Sequence, residues 1–211
     1  MVILAIPFLE IKMRNSRISK LREDILAGAN SYKKHLTGKY FLCVFENKCI
    51  EIAFKNEHFK HLTGVESLLG GKDFYKRATK RTLTCEQFRV DKKHPYSLAR
   101  KKCDYLGNIN NLFSSDSLMI TEFITNTFTY EFGITNLELT LGLIENDTSQ
   151  MYNPRTLRIK DKAIEKSRNV YSVDFVFCKN NEWAVYEKLL FGQRDNVHAL
   201  SPEILQKIRI V

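Results

Sequence analysis

Two runs carry the side chains best suited to chemistry: Phe59-Lys60-His61-Leu62-Thr63-Gly64 and Tyr152-Asn153-Pro154-Arg155-Thr156-Leu157-Arg158-Ile159-Lys160. Together they place an imidazole, hydroxyls and permanent cations on one small basic chain. These are the groups that cleave RNA without a metal. A base takes the proton of the 2′-hydroxyl, an acid protonates the leaving 5′-oxygen, and cations hold the phosphorane charge. Histidine suits the first two roles because its reference pKa of about 6.5 lies near working pH. Arginine suits the third because its guanidinium binds a phosphate through two parallel hydrogen bonds. Among the imidazoles His61 is preferred, since it leaves what reads as a strand end, where loops position functional groups, and Gly64 permits a tight turn after it. The structural alternative has His61 packed on a helix and bonded to backbone, with Thr63 capping the next segment. His58 reads as solvated, His94 as a helix-start residue beside Pro95, and His35 and His198 as surface positions.

As a strand, the second run puts Thr156, Arg158 and Lys160 on one face and Arg155, Leu157 and Ile159 on the other, with Arg155 at the strand mouth. The candidate catalytic set is His61, Arg155, Thr156 and Lys160. An amphipathic edge strand protected by its cations is the competing reading. No Gly-rich phosphate loop, Gly-x-Ser-x-Gly elbow, His-Glu-x-x-His or dinucleotide fingerprint is present, and Gly70-Gly71-Lys72-Asp73 lacks phosphate-loop spacing. Neither a metal site nor a cofactor is expected.

The net charge of +9 over 211 residues is unevenly spread. Residues 72–102 hold eleven Lys/Arg against three acids, whereas residues 103–150 hold seven acids and no Lys or Arg. Such segregation makes one part of the surface positive and favours a polyanion. The RNA-binding candidates are Arg77, Lys80, Arg81, Arg100, Lys101 and Lys102 for the phosphates, with Tyr75 and Tyr96 available to stack on unpaired bases. A solvated basic helix face is the alternative. Five scattered cysteines (Cys43, Cys49, Cys85, Cys103, Cys178) show no Cys-x-x-Cys spacing. They read as free thiols of a reduced, cytoplasmic protein. The apolar run Met1-Val2-Ile3-Leu4-Ala5-Ile6 is too short to span a bilayer and makes a poor signal peptide. It suits an edge strand or a partner contact, and no membrane partner is expected.

The elements that must position these side chains are legible in the periodicity. Ile18, Leu21, Ile25, Ala29, Tyr32 and Leu36 form one apolar stripe of a helix over 16–37, capped by Asn15 or Ser16 and closed by Gly38. A hairpin follows, with strands 40–45 and 49–55 around Glu46-Asn47-Lys48. Phe74, Tyr75 and Ala78 mark a short helix. A second runs over 96–113 with Ala99, Cys103, Leu106, Ile109 and Phe113 inward. Period-two patterning then predicts strands at 117–123, 126–132, 137–144, 155–160, 170–178 and 183–190, with Val173, Phe175 and Phe177 sharing a face. Ser201-Pro202-Glu203 starts a terminal helix. Helices early and antiparallel strands late predict an α+β fold, with the N-terminal helices packed on an antiparallel sheet. Without a low-complexity linker, one domain over 1–211 is expected.

The Phe-x-His-Leu-Thr-Gly run after a hairpin, the Phe74-Tyr75 pair and the Tyr-x-Pro-Arg-Thr run resemble the fourth class of phage-associated nucleases in the barnase–EndoU–colicin–RelE superfold. The resemblance spans roughly residues 38–191. It implies a helical N-terminal part followed by a twisted antiparallel sheet, metal-independent RNA cleavage, and a toxin or phage-conflict setting with a cognate antitoxin or immunity protein as a further partner. His61, Arg155 and Thr156 match its motif positions; Lys160 and the basic block rest on charge and spacing alone. Three functions stay open: a metal-independent endoribonuclease, a non-catalytic nucleic-acid-binding protein of a phage or mobile element, and an interaction module whose acidic 103–150 segment mimics a phosphate backbone. The His61–Arg155 separation discriminates, since within about 10 Å the two flank one phosphate, an anion that both would reach by hydrogen bonds.

Overall fold

The computed structural model describes residues 5–92, 95–125, 128–180, 182 and 184–209, with side chains from Asn15 onward. The first helix, α1 (Ala5–His35), begins well before the expected cap at Asn15 or Ser16. Pro7 lies in its first turn, where a missing N–H loses no intrahelical bond. Ala5 and Ile6 are therefore helical and not an edge strand, and the rest of that apolar run lies outside the described residues. Leu21, Ile25, Ala29, Tyr32 and Leu36 are buried as the stripe predicts.

Strands β1 (Tyr40–Phe45) and β2 (Lys48–Ala53) form the expected hairpin. Glu46 and Asn47 at its tip have φ of 49° and 53°, the pair of positive values that a two-residue turn needs to follow strand twist. Cys43 lies opposite Ile50, and Cys49 opposite Val44, so these thiols are not cross-strand partners. All five cysteines are free.

Three short helices follow: α2 (Phe59–Thr63), α3 (Gly71–Thr79) and α4 (Tyr96–Tyr105). The expected 96–113 helix tightens into a 3₁₀ stretch after Tyr105, yet its whole apolar stripe stays buried. The remaining strands are β3 (Leu118–Ile124), β4 (Thr129–Thr135), β5 (Leu139–Glu145), β6 (Tyr152–Ile159), β7 (Asn169–Ser172), β8 (Phe175–Lys179) and β9 (Lys188–Phe191); α5 (Pro202–Gln206) closes the order. The segment expected as one strand over 170–178 is two. Val173 and Asp174 leave the sheet, and Val173 packs into the helix-side core while Phe175 and Phe177 face the C-terminal segment.

The strands make one sheet in the order β7-β3-β4-β5-β6-β2-β1-β8-β9. Every neighbouring pair is antiparallel except β2 with β6. The fold is α+β, with the N-terminal helix ahead of the sheet. Alternation along β1 assigns its two faces: Phe41, Cys43 and Phe45 point to the helices, Leu42 and Val44 to the opposite side. There Tyr186, Val197 and Ile204 cover one half of the sheet, and Ala163 and Ile164 cover the other half over Ile120, Phe123 and Tyr130.

The β2–β6 junction opens the sheet surface. It rests on the pair Ile52–Tyr152; β2 then ends at Ala53 while β6 runs on to Ile159. The chain turns aside into a 3₁₀ turn (Asn56–His58) and α2, which packs along β6. An opening is left where a strand would have been.

Candidate active site

A cavity of about 570 Å³ occupies this opening, lined by Glu57, His58, His61, Phe128, Tyr130, Ile144, Asn153, Pro154 and Arg155. Both runs singled out in the sequence contribute to its walls, through His61 and through Asn153, Pro154 and Arg155. His61 sits on α2, not on a loop at a strand end as expected. The helix is only five residues long and is held from beneath by aromatic packing. Phe59 lies edge-on to Tyr32 and Tyr75, with ring centroids 5.3 and 5.5 Å apart, and beside Phe74 at 6.2 Å. The Phe74-Tyr75 pair thus anchors the helix that carries the imidazole. Tyr75 is 5% exposed and its hydroxyl lies 2.7 Å from Thr37 Oγ1. Its expected role in stacking on RNA bases is therefore corrected, because the ring is buried against Tyr32 and Phe59. Gly64 closes α2 at φ +72°, a conformation that a side chain would strain. Thr63 is fully buried, donating to the Lys60 carbonyl at 2.7 Å, and Lys60 Nζ donates to the Leu69 carbonyl at 2.9 Å.

Arg155 reaches His61 from β6. Opposite β5, Gly142 pairs with Thr156 and Leu143 with Pro154, which leaves Arg155 as the extra residue of a β-bulge. Bulges re-aim side chains, and Pro154 beside it has no N–H to lose from the ladder. The expected alternation of Arg155 with Leu157 and Ile159 is corrected here. Tyr152 and Pro154 before the bulge and Leu157 and Ile159 after it are buried, whereas Arg155 is thrown outward. Its NH1 lies 2.9 Å from His61 Nε2, well inside the separation required for a shared phosphate. For Nε2 to accept this bond the ring is neutral, with its proton on Nδ1. Burial, the adjacent Arg155 cation and then Lys60 and His58 depress the His61 pKa to about 4.

His58 is buried rather than solvated, at 9% exposure. Its Nδ1 accepts the Lys55 N–H at 3.2 Å and it bonds the Ala53 backbone, so both nitrogens hold the turn into α2. Thr156 lies beside Tyr130 and bonds its side chain. The Tyr130 hydroxyl feels both Arg155 and Arg158; burial, the leading influence, raises its pKa, so it keeps its proton at neutral pH. Lys160 lies beyond the end of β6, with Nζ 3.7 Å from Glu138 Oε1 on the surface, and does not line the cavity.

The basic block is divided. Lys102 packs over Gly64 at the end of α2, where burial and the neighbouring Arg158 push its pKa down to about 8. Arg100 pairs with Asp24 at 2.7 Å and Asp104 at 3.4 Å. Arg81 pairs with Glu23 at 2.7 Å. Arg77, Lys80 and Arg81 sit at the far end of α3, whose first residue Gly71 abuts the Glu57 backbone. Lys101 is exposed on α4. His94 lies outside the described residues. Tyr130, Phe128 and Asn153 were not singled out from sequence as site residues; the first two fall in the expected 126–132 strand, Asn153 precedes the expected 155–160 strand, and their convergence depends on which strands become neighbours.

A family model described as phage-Barnase-EndoU-ColicinE5/D-RelE like nuclease4 matches residues 24–194. The chain belongs to this nuclease family. The match takes in α1 from Asp24 onward as well as the sheet and both runs that build the cavity. No curated protein and no solved structure gives a match. Membership makes the chain a phage-associated nuclease by family, with nucleic acid as its class of substrate. Among the described residues, no three His, Cys, Asp or Glu side chains are grouped to hold a metal ion, and no helix is long and apolar enough to cross a membrane.

Proposed function

We propose that this nuclease is a metal-independent endoribonuclease in which His61 is the general base. The observation that carries the reading is the 2.9 Å contact between His61 Nε2 and Arg155 on the wall of a nucleotide-sized cavity. Once Arg155 turns from His61 Nε2 to the substrate phosphate, that nitrogen accepts the proton of an RNA 2′-hydroxyl, and the oxygen attacks the adjacent phosphorus as the bond to the 5′-oxygen breaks. Arg155 beside it neutralises the developing phosphorane, with Thr156 donating to a non-bridging oxygen. The two steps support each other. While the site is empty the Arg155 cation opposes protonation of His61; once phosphate charge neutralises Arg155, His61 gains proton affinity as it must accept a proton. In this reading Tyr130, which lines the same cavity and keeps its proton at neutral pH, protonates the leaving 5′-oxygen. Lys160 remains a candidate for holding charge on the strand's outer end. The setting proposed is a cytoplasmic toxin or phage-conflict effector held by an antitoxin or immunity protein.

The test is cleavage of single-stranded and structured RNA in EDTA. The expected product carries a 2′,3′-cyclic phosphate, and a 2′-deoxy residue at the cleaved position resists. A requirement for a divalent ion ends the proposal. RNA binding without cleavage favours the non-catalytic alternative.

A further inference from the structure

We infer that the cavity wall formed by Phe128, Tyr130, Ile144, Asn153 and Pro154 is a nucleobase subsite. In it Phe128 stacks on the base, and Asn153 selects one whose Watson–Crick edge sets an amino group beside a ring-nitrogen acceptor, adenine or cytosine. The inference rests on the ribonuclease reading and names what lies next to the cleaved phosphate.

Phe128 is a large aromatic left 47% exposed beside a polar cavity. It is held there on both sides. Thr125 Oγ1 accepts the Phe128 N–H at 3.1 Å and donates to the Phe128 carbonyl at 2.7 Å, fixing the backbone. Tyr130 meets the ring edge-on at 4.8 Å and is itself stacked on Phe123 at 4.8 Å and 14°. A fixed, exposed aromatic face next to a phosphate-binding cation is the arrangement on which nucleic-acid bases stack. Asn153 and Ile144 are cross-strand partners on β6 and β5, and both line the cavity. Asn153 Oδ1 is buried with no hydrogen-bond partner among the described residues. A buried acceptor without a donor is costly, so the carboxamide gains by turning Oδ1 toward the cavity that Asn153 lines, where a base amino group supplies the donor. The carboxamide carries a donor beside that acceptor, so it pairs with a base edge that offers an amino group next to a ring nitrogen.

The experiment titrates wild-type protein with the four 3′-mononucleotides by calorimetry or NMR and maps cleavage on a matched dinucleotide panel. The adenine and cytosine nucleotides are expected to bind about tenfold more tightly than the uracil and guanine ones, within the range that one bidentate base contact supplies. Asn153→Leu removes that preference while inorganic phosphate still binds. Asn153→Asp, which keeps the acceptor and loses the donor, shifts it toward guanine, whose edge offers two donors. Phe128→Ala weakens all four nucleotides about equally. Equal binding of the four to wild type, or an unchanged preference in Asn153→Leu, overturns the inference. Base-selective mononucleotide binding without RNA cleavage sinks the ribonuclease reading and leaves the subsite; cleavage with no base preference in either assay does the reverse.

Discussion

The contact between His61 and Arg155 is one hydrogen bond, and it adds to burial, the larger cause, in holding the imidazole neutral. His61→Ala is expected to lower kcat/KM by about two to four orders of magnitude, the usual contribution of a positioned base. Arg155→Ala should lower it by about two to three orders, the scale of one lost charge-stabilising donor. Circular dichroism should show both variants folded, since neither His61 nor Arg155 is part of the buried core. The pH profile carries the sign of the pKa shift. With a folded-state pKa depressed to about 4, the neutral base persists well below pH 6.5. The acid limb of kcat/KM should therefore fall near pH 4 rather than 6.5. Removing the Arg155 cation should move that limb upward. It should not reach 6.5, because burial is the larger cause. A limb at 6.5 in wild type would place the base elsewhere. The same shift bears on stability: between pH 6.5 and about 4 the unfolded chain binds the His61 proton and the folded chain does not, so this residue's contribution weakens as pH falls through that window and is constant above it.

At the scale of elements, the site is two short devices set against each other: a five-residue helix and a one-residue bulge. An isolated helix of that length has no stability of its own in water. It exists because Phe59 and Leu62 are buried and because the chain on either side is tied to α3 and α4. The tightest tie is Gly71, where a Cβ would stand 2.4 Å from the Glu57 carbonyl oxygen. That oxygen belongs to backbone and cannot swing away. Gly71→Ala should thus push α3 off the turn preceding α2, destabilising the protein by about 1–3 kcal/mol, the cost of overpacking. Because Glu57 and His58 line the cavity, kcat/KM should drop as well, though neither functional side chain is altered. Urea unfolding and steady-state kinetics check the two effects; an unperturbed Gly71→Ala would show that α3 does not position the site.

For the whole molecule, the proposed action on RNA turns on how far the positive field around the site extends. Each phosphate neutralised on a single strand contributes about 0.7 to the slope of log affinity against log salt. Lys102, lying at the end of α2 beside Arg158, is expected to make the larger contribution. Arg81 and Arg100 are already matched by Glu23, Asp24 and Asp104. Lys102→Ala should therefore weaken RNA binding and flatten the salt slope by about one contact's worth, whereas Arg81→Ala should change it little. Filter binding across a salt series separates these outcomes. Equal effects would mean that the basic block acts as a diffuse field and not through a defined track.

Much of the fold is written in the chain's local patterning. The stripe on α1, the Glu46-Asn47 hairpin and the α+β order follow from periodicity and turn chemistry, which act over a few residues. The pairing of His61 with Arg155 was legible as a motif resemblance, since side-chain types at set spacings survive in a linear text. Other features were decided only in three dimensions. Asn15 and Ser16 offered a helix start that α1 runs through. Tyr75, an apparent stacking ring, became core because α2 needed a floor. Lys160 parted from Arg155 because β6 ends at Ile159 and the chain beyond it takes Lys160 to Glu138 on the surface. The bulge at Arg155, and the meeting of Phe128, Tyr130 and Asn153, depend on which strands become neighbours in the sheet. That is a property of long-range pairing, and no window of sequence contains it.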